Sequence, residues 1–230
     1  MNWFEQFIDS LQGKQASLDL QGAALASSEQ AMRHYRFQHQ AKVREAIEDT
    51  FFITKKILGN NWEDIWNQFW MISHETPRSL DYVPEVFLKF LNAQDYQLEL
   101  RELARFEYLM DIHPWTHESL PKFSIASLTD SSQIILHPLD IHEFKTPVST
   151  AYDQEIFLEG SPEKVLFWMT ETGVHFRKME VWELDILQNL DKGIQVALDD
   201  LEINADSLSD FFKWLGESNL VREIKQRKGE

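Results

Sequence analysis

Eight histidines, 38 acidic side chains and no cysteine define the chemistry open to this 230-residue chain. Without cysteine there is no thiolate nucleophile, no thiolate-bound zinc or iron–sulfur cluster and no disulfide scaffold. No histidine has a glutamate three residues before it, so the Glu-x-x-His pair of bundle di-iron sites is missing, and HExxH is missing too. His113 and His117 are four apart, but Pro114 follows the first and keeps them off one regular helix face. Asp111-Ile-His113 and Asp140-Ile-His142 share a short pattern. A metal needs several convergent, deprotonated ligands, so these histidines read as surface or capping groups.

Nucleophile and phosphate motifs are equally scarce. All eight glycines are isolated, which excludes GxGxxG and the P-loop. GESNL at Gly216–Leu220 lacks the second glycine of a nucleophile elbow. Glu99, Glu102 and Glu107 could suggest paired carboxylates, but neighbours such as Glu102 and Arg105 fit solvated ion pairs better. The residues therefore point to a protein that is not an enzyme and carries no cofactor of its own.

Two helical patterns remain. Trp62, Ile65, Trp66, Phe69 and Trp70 recur at helical spacing and read as core rather than a ligand cage. Arg33, Arg36 or Phe37, Gln40 and Arg44 share one helix face, the main basic face of an acidic chain. It is either an anion- or partner-binding stripe, or a set of arginines paired with Glu48, Asp49 or the acids of the Glu99–Glu107 helix. The second reading is favoured because the chain has acids to spare.

These side chains need elements to hold them. The first half has helical texture: Trp3–Leu11, a helix starting after Ser27–Ser28, a stop near Gly59, then Trp62–Ile72, Val83–Leu91 and Tyr96–Ile112. After Pro114 and Pro121 the texture changes. Gln133–Leu139, Val165–Thr170 and Val174–Lys178 read as strands, the last two joined through Glu171-Thr172-Gly173. Helices Val181–Leu190 and Leu208–Leu215 follow, the latter capped by Asp206 or Ser207, and Leu220–Ile224 reads as a last strand. The expected fold class is α+β: an N-terminal all-helical bundle over residues 1–115, then a small winged-helix-like α+β domain over 125–224.

Composition limits the partners. The net charge is −16, and 43% of residues are hydrophobic, enough for a core. Residues 1–120 hold 11 basic and 18 acidic side chains and residues 121–230 hold 11 and 20, so neither half is a basic module. Duplex phosphate wants Lys and Arg, and Ser207–Leu215 (SLSDFFKWL), the candidate recognition helix, offers one Lys and one Asp. Met1–Leu20 has neither a basic n-region nor an unbroken apolar stretch, and no long uncharged run suggests a membrane span, so a cytoplasmic protein is expected.

The run Arg33–Trp66 (RHYRFQHQAKVREAIEDTFFITKKILGNNWEDIW), with Phe87–Gln94 and Leu100–Ile112, resembles the family of HvfC/BufC-type partner proteins. Tyr35-Arg36, Arg44-Glu45-Ala46-Ile47, Leu58-Gly59 and Leu103-Ala104-Arg105-Phe106-Glu107 stand at the matching places. Phe51-Phe52 replaces the family's aromatic–Pro pair, and Gln38 stands where Asn is usual. The later VLFWMTETGVHFRKME and LDILQNLDKGIQVALDD also resemble the family's hairpin and following helix.

The resemblance implies a non-catalytic adaptor. It would bind a ribosomally made precursor peptide and present it to a separate multinuclear non-haem iron oxidase. The peptide would add as a strand to an edge of the C-terminal unit. Tyr35, Arg36, Arg44, Arg105 and Glu107 carry the helical likeness and could form a binding face or a buried Arg–Glu network. Val165, Phe167 and Phe176 are the expected peptide edge. The family also carries a DNA-binding label, so a transcriptional regulator is the alternative.

Overall fold

The computed structural model describes residues 24–72, 79–111, 124–129, 132–136, 139–189 and 203–226. The fold is α+β, with helices alone in the first part and antiparallel strands with helices in the second. The backbone divides into two compact units, Met1–Tyr108 and Leu109–Glu230. The expected helix Trp3–Leu11 lies outside the described residues.

In the first unit, α1 spans Ala24–Thr50 and is already helical before the expected cap at Ser27–Ser28. Phe51 leaves helical geometry (φ −105°, ψ 43°) and α2 continues over Phe52–Leu58. Gly59 ends it at φ 53°, a conformation that a Cβ would strain. Then come α3 (Asn61–Ile72), a single 3₁₀ turn (Leu80–Tyr82), α4 (Val83–Ala93) and α5 (Leu98–Met110). Pro84 sits in the first turn of α4, where its missing N–H leaves no helical bond unmade.

Aromatic residues fill this core. The ring of Phe87 on α4 lies 5.1 Å from Phe51, 5.6 Å from Trp62 and 5.1 Å from Phe69, all centroid to centroid. Val43, Ile47, Trp66, Leu103 and Phe106 are buried with them. The spacing of Trp62, Ile65, Trp66 and Phe69 thus encodes a buried face.

The second unit holds two three-stranded antiparallel sheets. In one, β1 (Ser124–Thr129) pairs with β2 (Ser132–Leu136), and β2 pairs with the final strand β6 (Val221–Gln226). In the other, β3 (Leu139–Phe144) and β5 (Gly173–Met179) flank β4 (Glu163–Thr170). The expected single strand Gln133–Leu139 is two strands in different sheets. Pro138, which has no N–H for a ladder, lies in the sequence between them. The elements expected of a winged-helix plan are present in order: hairpin β4–β5, α7 (Val181–Asn189), α8 (Ala205–Glu217) and β6. Asn204, rather than Asp206 or Ser207, caps α8 by accepting the Asp206 N–H at 3.0 Å.

The sheet β3–β4–β5 is covered on both faces. Leu139, Leu166, Trp168 and Met179 pack with Leu184 and Ile186 of α7 and with Phe211 and Leu215 of α8. Alternate residues of the same strands, Phe144, Val165, Phe167 and Phe176, face the other way. There Tyr152 of α6 (Val148–Gln154) meets Phe176 edge-to-face at 5.8 Å. Glu163 ties α6 to the sheet, accepting the Ser149 N–H at 2.6 Å and its hydroxyl at 3.0 Å.

Candidate functional site

The helix break at Phe51 frees backbone donors inside the first unit. Glu107 of α5 reaches them: one oxygen accepts the Ile53 N–H at 2.6 Å and the other the Thr54 N–H at 2.9 Å. The carboxyl is 3% exposed. Burial pushes its pKa up to about 7, against the opposing pull of hydrogen bonds from Thr54 and Ile53. The Thr54 hydroxyl is buried beside it but lacks hydrogen-bond geometry. Glu107 is thus a tertiary cap on α2, and the Arg–Glu network expected around it forms elsewhere.

That network centres on Glu48. Its carboxylate accepts Arg44 Nε at 2.7 Å, Lys55 Nζ at 2.7 Å and the Trp62 indole N–H at 3.0 Å. Partial burial alone would raise the Glu48 pKa, but these bonds and the Arg44 charge hold it below the usual carboxylate range. Arg44 also pairs with Glu63 and lies over the Trp66 ring, 5.6 Å from its centroid. The Arg44 end of the basic stripe is therefore an ion-pair cluster fixing α1, α2 and α3. Arg105 lies half-buried on α5, 3.9 Å from Glu102. Tyr35 is 52% exposed and Arg36 half-buried, both on α1.

The peptide edge needs a correction. Val165 and Phe167 are fully buried, and β4 is the central strand, with β3 on one side and β5 on the other. Its backbone groups are committed to two neighbours and cannot receive a third strand. Only Phe176 of the expected trio lies on an outer strand, β5, where it is half-buried. Among the described residues, no strand pairs with the outer side of β5. An outer strand is where another chain can add through backbone hydrogen bonds.

The side chains of β5 complete the site. From the face shared with α7 and α8, the Arg177 guanidinium stacks on Trp214 at 3.9 Å and pairs with Glu183. Glu183 is buried and also accepts the Glu180 N–H at 2.9 Å. His175 stacks on Trp168 at 5.5 Å, and its Nε2 lies 2.9 Å from the Thr170 hydroxyl and 3.0 Å from that of Thr172. From the opposite face come Val174, Phe176 and the exposed Lys178. The Arg177–Trp214–Glu183 assembly escaped the sequence reading. Its one visible signal was the unbroken HFRK run on a predicted strand.

Among the described residues, no group of three or more His, Asp or Glu side chains is placed to hold a metal ion. His113 and His117 lie outside them, while His142 Nε2 lies 2.9 Å from the Asp140 carboxylate on β3. No described helix is long and apolar enough to cross a membrane. No family model matches this sequence, and no curated protein is found to be similar to it.

Proposed function

We propose that this chain is a non-catalytic adaptor that binds a ribosomally made precursor peptide on the outer side of β5 and presents it to a separate non-haem iron oxidase in the cytoplasm. The observation that carries the peptide half is the β5 strand itself, without a strand partner on one side among the described residues. Strand addition would supply affinity through backbone bonds and register through the alternating side chains. The oxidase half rests on the resemblance to HvfC/BufC-type partner proteins.

One structural detail supports that resemblance. The break between α1 and α2 falls at Phe51-Phe52, where the family carries an aromatic–Pro pair. Phe52 is the first residue of α2, a position where proline is well tolerated. The same backbone conformation would suit either sequence. Against the DNA-binding alternative, α8 has Lys213 against Asp206, Asp210 and Glu217, and turns Phe211 and Leu215 into the core.

Paired proline substitutions test the proposal. Successive N–H groups of a strand point to opposite sides, so His175→Pro and Phe176→Pro remove one inward and one outward donor. The outward variant is expected to keep its fold, by circular dichroism, and lose binding to a peptide that copurifies with the wild-type chain from its native host. Wild-type binding in both folded variants would refute strand addition at β5.

A further inference from the structure

The side chains of β5 select among strands. His175, Phe176, Arg177 and Lys178 are consecutive, and no acidic residue occurs from Gly173 to Met179. The register makes each the end of a row across the sheet: Leu139–Trp168–His175, Asp140–Phe167–Phe176, Ile141–Leu166–Arg177 and His142–Val165–Lys178. A strand added outside β5 would place its side chains directly beside these four. β3, the other outer strand of this sheet, carries Asp140 and Glu143 instead.

Resting on the proposed peptide-binding role, we infer that the strand accepted by β5 is an acidic one: carboxylates beside Arg177 and Lys178, and an apolar side chain beside Phe176. Basic side chains on an outer strand repel another basic strand and discourage uncontrolled pairing. They leave a strand of opposite charge as the favoured partner. Arg177 is held in place by Trp214 and Glu183, and Lys178 extends from the sheet 3.9 Å from Glu163. Buried Glu183 and Glu163 therefore position these cations. Phe176 is half-buried against Tyr152, and an apolar neighbour would extend the Phe144–Phe167–Phe176 surface by one strand.

The test uses capped synthetic peptides of about nine residues, within the range of strand lengths, made of valine except for two adjacent central residues that are both glutamate, both glutamine or both lysine, so that one faces Arg177 and the other Lys178 on the opposite face while valine lies beside Phe176. Each is titrated into the full chain while the amide signals of β5 and β3 are followed by NMR. The glutamate peptide is expected to shift β5 signals and bind at least about tenfold more tightly than the lysine peptide, from two cross-strand charge pairs. Lys178→Gln should weaken the glutamate peptide roughly threefold and leave the glutamine peptide unchanged. Equal binding of all three peptides at β5 would overturn the charge selection and leave strand addition standing. Shifts confined to β3, or no binding by any peptide, would overturn both. The peptide exchange leaves the protein untouched, so the result does not depend on the variant folding.

Discussion

Replacing Glu107 by glutamine removes one carboxylate oxygen from the break between α1 and α2. Either the Ile53 or the Thr54 N–H then faces an amide NH₂ instead of an acceptor. A buried donor left unsatisfied costs about 1–3 kcal/mol. The wild-type carboxyl carries its own cost, and it depends on pH. Its folded pKa of about 7 stands above the ordinary 4.5, so the folded chain binds this proton more tightly than the unfolded one. The resulting stabilisation is complete below about pH 4.5 and is lost as pH rises to about 7. At about 1.4 kcal/mol per pKa unit, the loss is roughly 3 kcal/mol. Glutamine has no such dependence. Glu107→Gln should therefore be less stable than wild type by about 1–3 kcal/mol near pH 4.5, and equal or more stable near pH 8. Urea unfolding of the full chain, followed through the amide signals of Ile53 and Thr54, reads this unit apart from the other. A wild-type advantage that is constant across that range, or grows with pH, would refute the assigned burial and proton affinity.

Other substitutions test the packing. Phe87→Ala removes the ring shared by Phe51, Trp62 and Phe69 and should cost about 3–5 kcal/mol by denaturant unfolding of the first unit. Arg44→Ala leaves Glu48 with Lys55 and Trp62 and should cost only about 1 kcal/mol, less in high salt, by the same measurement. Gly173→Ala forces a Cβ onto a backbone at φ 124° and should destabilise the β4–β5 hairpin by about 1–3 kcal/mol, seen as faster amide exchange there.

Helical period and hairpin composition were strong enough to reveal much of the fold. The run Trp62–Phe69 repeats apolar residues at one helical face, and β4 and β5 are rich in β-branched and aromatic residues around a glycine turn. β3 was invisible because LDIHEF carries three polar residues in six and earns its place by pairing with β4. That omission also misplaced the peptide edge. Val165 and Phe167 look like an outer strand until β3 occupies their free side. α6 is seven residues long, too short for periodicity to declare. Glu107 acts on donors more than fifty residues away. No local pattern separates such a cap from a solvated acid, and only the tertiary fold brings the two together.

The central claim is that β5 receives a peptide strand. Amide hydrogen exchange of the full chain, free and saturated with the two-glutamate strand peptide, tests this most directly. New protection at alternate amides of Gly173–Met179, with the paired side toward β4 unchanged, is the predicted result. Binding that protects a different element and leaves β5 exchanging as in the free chain would contradict it.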